Sequence, residues 1–112
     1  MSKFDEKVSL YQSELESFGQ KVDSDLLTKV TKACGPTIYL PDASRVSLAD
    51  EGEAKTVKNN FLIKKLGLND DASLDAALKA VEDIVGKSNR NKYRAVVYYL
   101  LVKHFKKESL FA

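Results

Sequence analysis

Near the end of the chain, Ala95-Val96-Val97-Tyr98-Tyr99-Leu100-Leu101-Val102 runs eight residues without a polar break. In a helix, such a run is apolar on every side, and a rod of that kind has to be enclosed by its neighbours or by a second subunit. It is far short of the roughly 20 residues a membrane span needs. Arg90, Lys92 and Arg94 precede it, and Lys103, Lys106 and Lys107 follow it. The basic lead-in falls at the helix end that already carries partial positive charge. This fixes the kind of fold: a bundle with its last helix in the middle.

The punctuation of the chain agrees. Gly19, Gly35, Gly67 and Gly86 stand where helices should stop, because glycine takes the left-handed C′ conformation without a Cβ clash. Pro36 reinforces the second stop. Ser2-x-x-Asp5, Ser47-x-x-Asp50 and Ser88, with Asp23 and Asp71, place side-chain oxygens where free backbone N–H groups need acceptors.

Between these marks the apolar spacing is helical. It predicts helices over about residues 3–18, 24–34, 48–66, 72–85 and 89–106. Each of the first four carries one apolar stripe, such as Phe4, Val8, Tyr11, Leu15 and Phe18 in the first. The segment 37–46 is expected to be an exposed loop, either a small hairpin or, preferably, a loop with one helical turn starting near Asp42. The expected architecture is all-α: one domain over residues 1–112, a compact bundle of about five helices around the C-terminal one.

With 44% hydrophobic and 30% charged residues, the chain is ordinary globular material. The start, Met1 to Glu6, offers no apolar signal segment, and a single cysteine rules out an intramolecular disulfide. A cytoplasmic location without membrane contact is the expectation. A net charge of +2 does not by itself call for nucleic acid. It is unevenly spread: residues 1–56 balance at −3 and residues 57–112 at +5, which suits mutual support between the halves.

Few residues offer catalytic chemistry. His104 is the only histidine, and no nucleophile stands beside it in sequence, so a core-edge role is preferred to that of a general base. Cys34 falls on the apolar side of its helix and reads as a packed thiol. One His and one Cys make no structural zinc site, and Asp70, Asp71 and Asp75 lie at a helix start where carboxylates are stabilised anyway. No phosphate-binding glycine loop is present. The expectation is no enzyme, no cofactor and no metal.

Two binding readings stay open. The helices on either side of Gly67 outline a helix-turn-helix, but Asp71, Asp75, Glu82 and Asp83 would repel phosphates. Lys64 and Lys65, with Arg90, Lys92 and Arg94 at the start of the last helix, are better candidates for an anion or nucleic acid. The aromatic set Tyr98, Tyr99, Phe105 and Phe111 is the alternative, as anchors for a protein partner or a second copy. Tyr98 and Tyr99 point about 100° apart on a helix, so one belongs to the core and one is free for a partner. Phe111 either folds back onto the core or joins a dimer contact. The leading expectation is a non-enzymatic helical interaction module that can form a homodimer.

Val57-Lys58-Asn59-Asn60-Phe61-Leu62-Ile63-Lys64-Lys65-Leu66-Gly67-Leu68, followed by Asn89-Arg90-Asn91-Lys92-Tyr93-Arg94-Ala95-Val96-Val97-Tyr98-Tyr99-Leu100-Leu101, resembles a small bacterial family known only as a domain of unknown function. The resemblance covers nearly the whole chain. It implies a short, cytoplasmic, all-helical protein and brings no activity, cofactor or catalytic residue.

Overall fold

The computed structural model describes residues 3–40, 44–46, 48, 50–86 and 92–111. Among the described residues, five α-helices follow one another: α1 (Lys3–Ser17), α2 (Ser24–Cys34), α3 (Glu51–Val57), α4 (Ala72–Val85) and α5 (Arg94–Phe105). Short 3₁₀ turns follow α2 (Gly35–Tyr39) and α5 (Glu108–Phe111). No helix among the described residues is long and apolar enough to cross a membrane.

The expected ends form for the expected reasons. The Asp23 carboxylate accepts the Leu26 N–H at 3.2 Å, and the Asp71 carboxylate accepts the Ser73 N–H at 2.9 Å. The Ser73 hydroxyl also donates to Asp71, and this bond holds the Asp71 carboxyl below its usual range. At α3 the cap is Asp50, which accepts from the Gly52 and Glu53 N–H groups. Ser2, Ser47 and Ser88 lie outside the described residues. All four expected stop glycines have positive φ, between 69° and 91°.

α5 is the centre of the molecule, packed against α1, α2 and α4. Ala95, Val96, Val97, Tyr99, Leu100, Leu101 and Val102 are all buried. The other helices contribute one face each: Tyr11 and Leu15 from α1, Leu26, Leu27 and Val30 from α2, and Leu74, Ala77, Leu78, Val81 and Val85 from α4. These residues belong to a single apolar cluster.

Three expectations need correction. The helix expected over 48–66 is α only from Glu51 to Val57 and continues as a π-helix over Lys58–Ile63. The i→i+5 pattern shows in Lys64 N–H to the Asn59 carbonyl (3.3 Å) and Leu66 N–H to the Phe61 carbonyl (2.9 Å). A wider turn rotates less per residue, which lets the adjacent Phe61 and Leu62 both face the core. Packing outweighs regular helix geometry here.

The second correction concerns the last helix, which begins at Arg94 and not near residue 89. Residues 87–91 lie outside the described residues, while Lys92 and Tyr93 are held extended. Their partner is the segment 44–46. Val46 N–H donates to the Lys92 carbonyl (2.8 Å), Arg94 N–H donates to the Ser44 carbonyl (2.7 Å), and Arg45 and Tyr93 form one antiparallel bridge.

The third follows from it. The connection 37–46 is not an exposed loop throughout, since Ile38, Ser44 and Val46 are buried. The helical turn occurs at Gly35–Tyr39; Asp42 lies outside the described residues.

Candidate functional site

The candidate basic residues have different surroundings in the fold. Lys92 is buried, with its ammonium 3.9 Å from the Glu82 carboxylate. Arg94 donates to the Tyr98 hydroxyl at 2.9 Å and lies over that ring. Lys64 and Lys65 are exposed on the turn after the π-helix, with the Lys65 ammonium 5.7 Å from the centre of the Phe111 ring. Arg90 lies outside the described residues.

The candidate aromatic residues face inward to different degrees. Tyr98 is half-buried and stacks on Phe61 with ring centres 3.9 Å apart. Tyr99 is the core member of the pair, only 1% exposed. Phe105 is half-buried against the core, and Phe111 folds back and is buried. Large apolar side chains that do reach the surface are Tyr39, Leu40, Ile84 and Leu110, at positions the aromatic pattern did not single out.

Groups with catalytic potential differ in their settings. Burial pushes the Cys34 thiol from its ordinary 9.0 up to about 12, against the opposing pull of Arg94. Burial likewise pushes the Tyr11 phenol up to about 12, helped by nearby Cys34, Tyr93 and Tyr39. The Tyr11 hydroxyl has no hydrogen-bond partner among the described residues. His104 is exposed, with its ring edge-on to Phe105. Asp70 and Asp75 flank a lysine at the surface, with the Lys58 ammonium 3.2 Å from one and 3.4 Å from the other. The Asp70 hydrogen bond raises the Lys58 pKa. No group of three potential metal ligands occurs among the described residues.

One of the aromatic residues, Phe111, instead lines a concave site. A groove of about 340 Å³ runs between the start of α2 and the turn after α5. Its apolar lining is Leu26 and Phe111. Asp23, Asp25 and Lys29 contribute from α2 and its cap, and Glu108 and Ser109 from the C-terminal turn. The groove is built from two segments far apart in sequence, α2 with its cap and the turn after α5. The Tyr99 hydroxyl accepts the Asp23 N–H at 2.9 Å, which fixes the α2 lip to the central helix.

The opposite lip depends on how α5 ends. Lys106 takes the left-handed conformation (φ 55°), and Lys107 N–H donates to the Val102 carbonyl at 3.0 Å. That reversal sends Glu108–Phe111 back toward α2. Within the turn, Glu108 Oε2 lies 3.9 Å from the Lys103 ammonium. Glu108 Oε1 is shut off from water and has no hydrogen-bond partner among the described residues.

Sequence reasoning placed Phe111 and the Asp23 cap but missed Asp25, Lys29, Glu108 and Ser109. The available signal was the polar face of α2, Asp25 and Lys29 one turn apart, and the Glu-Ser-Leu-Phe tail carrying an aromatic residue beyond a helix end. Neither says that the two meet.

No curated protein matches the sequence. A family model described as "Protein of unknown function (DUF2853)" matches residues 10–109, which takes in all of α2, α3, α4 and α5, most of α1 and most of the groove lining. The chain therefore belongs to this family of unknown function.

Proposed function

We propose that this chain is a non-enzymatic interaction module that takes a segment of a protein partner, a second copy included, into the groove between α2 and the C-terminal turn. The observation that carries the reading is the groove itself: preformed, apolar on its Leu26–Phe111 side and polar at its rim. Preformed concavities of this kind bind without a large ordering cost. The second groove, of about 290 Å³ beside α3 and α4, is a poorer candidate because its Lys58 and Asp75 already satisfy each other. The non-enzymatic part is supported by the half-buried Cys34 thiol, whose pKa burial pushes up to about 12, and by the exposed position of His104.

Ser109 is exposed on the groove, so Ser109→Trp fills the space without disturbing the core. The measurement is scattering mass and copurifying protein for both forms, with thermal melting as the folding control. The expected result is association by the wild type that Ser109→Trp loses at unchanged melting temperature. Equal association by both forms moves the contact surface elsewhere.

A further inference from the structure

We infer that the C-terminal turn Glu108–Phe111 is an exchangeable strap. Pivoting at Lys106, it leaves its own α2 and seats Phe111 on the α2 of a second copy of this chain, which returns its own turn. The first observation is the hinge. Lys106, at φ 55°, is the only non-glycine residue with positive φ among the described residues, whereas α2 and α4 stop at Gly35 and Gly86. A Cβ in that conformation crowds the following carbonyl, so the closed turn carries strain at its pivot. Nothing local asks for the reversal. Lys106-Lys107-Glu108-Ser109-Leu110 contains neither glycine nor proline, and most of it favours continuing the helix. Contact with α2 therefore holds the turn in place, against the preference of its own backbone.

That contact is narrow. Within the turn Phe111 is buried, while Ser109 and Leu110 are exposed, Leu110 by 51%. The Lys103–Glu108 pair is 3.9 Å long with its side chains 43% and 42% exposed, and such pairs hold little. The groove of about 340 Å³ beside Phe111 shows that the closed turn leaves its bed partly unfilled.

A second copy is the occupant because its turn is the same segment. Exchange restores the Phe111 contact in both copies and releases both hinges from the left-handed conformation. Once open, α5 can run on through residues 106–111, which carries Phe111 about 9 Å past Phe105 at 1.5 Å per residue. Leu110, exposed in the monomer, then lies where the two chains cross. Lys103, Lys106 and Lys107 also gather there, so exchange should strengthen as salt screens them. The exchanged turn rebuilds the groove, so exchange is independent of whatever the groove binds.

The test is scattering mass against protein concentration, in reducing buffer, for the full chain and for Lys106→Gly and Lys106→Val. Amide shifts of Leu26, Leu27 and Lys29 are read alongside. Glycine relieves the left-handed turn and valine penalises it. Dimer is expected to increase from Lys106→Gly through wild type to Lys106→Val. The dimerisation constants of glycine variant and wild type should differ by at least about tenfold, since each dimer opens two hinges. The α2 amides should keep their monomer shifts in the dimer, and adding Phe111→Ala to Lys106→Val should restore the monomer. Ser109→Trp, which fills the groove, should leave exchange intact, so a loss of association there alone belongs to the groove reading. Masses indifferent to residue 106 overturn the exchange, as does a dimer that survives Phe111→Ala or moves the α2 amides. Should Lys106→Val not fold, wild type against Lys106→Gly decides, and equal dimerisation or two strict monomers at millimolar concentration overturn it.

Discussion

Tyr99 has its ring in the core and its hydroxyl at the lip of the groove, and both ends of the side chain contribute to the structure. The hydroxyl accepts from Asp23 N–H and donates, at 3.4 Å, to the Lys21 carbonyl. Tyr99→Phe keeps the ring but leaves those backbone groups without their partner. A loss of about 1–2 kcal/mol in urea unfolding is expected, the usual penalty for a hydrogen bond lost at a part-buried site. Cys34 makes a different prediction. Its thiol titrates near 9.0 in the unfolded chain and near 12 in the fold, so the fold holds the proton more tightly. That contribution is complete below pH 9 and is lost as pH rises toward 12. Unfolding of the wild type should therefore become easier across that window, and the gap between wild type and Cys34→Ala should narrow. Tyr11 contributes a loss of the same sign between about pH 10 and 12 in both proteins.

Among the elements, α5 bears the most weight. Leu101 is fully buried and Leu100 nearly so, which makes Leu101→Ala the sharper probe. Deleting its side chain where α1, α2 and α4 close in should cost roughly 2–5 kcal/mol, read from denaturant midpoints, because the cavity cannot fully collapse. A loss under about 0.5 kcal/mol would contradict the central position of this helix. The same element shows what a sequence makes legible. Its interior was readable because an all-round apolar helix has one place to go, and α2 and α4 were readable because Asp23, Asp71, Gly35 and Gly86 act locally on their own backbone. The start of α5 was not legible: Lys92 and Tyr93 are held extended by residues 44–46, a pairing across half the chain that leaves no local trace. The π-helix was hidden for a related reason. Val57, Phe61, Leu62 and Leu66 suit an α-helix equally well on paper, and only the shape of the surrounding core decides for the wider turn.

On the scale of the whole molecule, three ion pairs run within the basic half of the chain, residues 57–112. Lys92 pairs with Glu82, and Lys58 with Asp70 and Asp75. The aromatic cluster was legible as a set of important residues but not as a surface, because burial and reach depend on the angle at which α5 ends. Lys106 sets that angle through a left-handed turn that lysine seldom adopts, and a non-glycine stop of that kind leaves little sequence signature. The groove is the product of that turn, and its lips come from α2 and from the turn after α5.

Walls drawn from such distant parts of the sequence vanish together when the bundle opens, so the groove exists only in the native state. Whatever occupies it is thereby a clamp on the global folding equilibrium. A ligand present at 100 times its dissociation constant should add about 2.7 kcal/mol to unfolding and raise the melting temperature by several degrees. A thermal-shift screen of candidate compounds and peptides thus finds the natural occupant by its effect on melting alone, whatever its chemical identity.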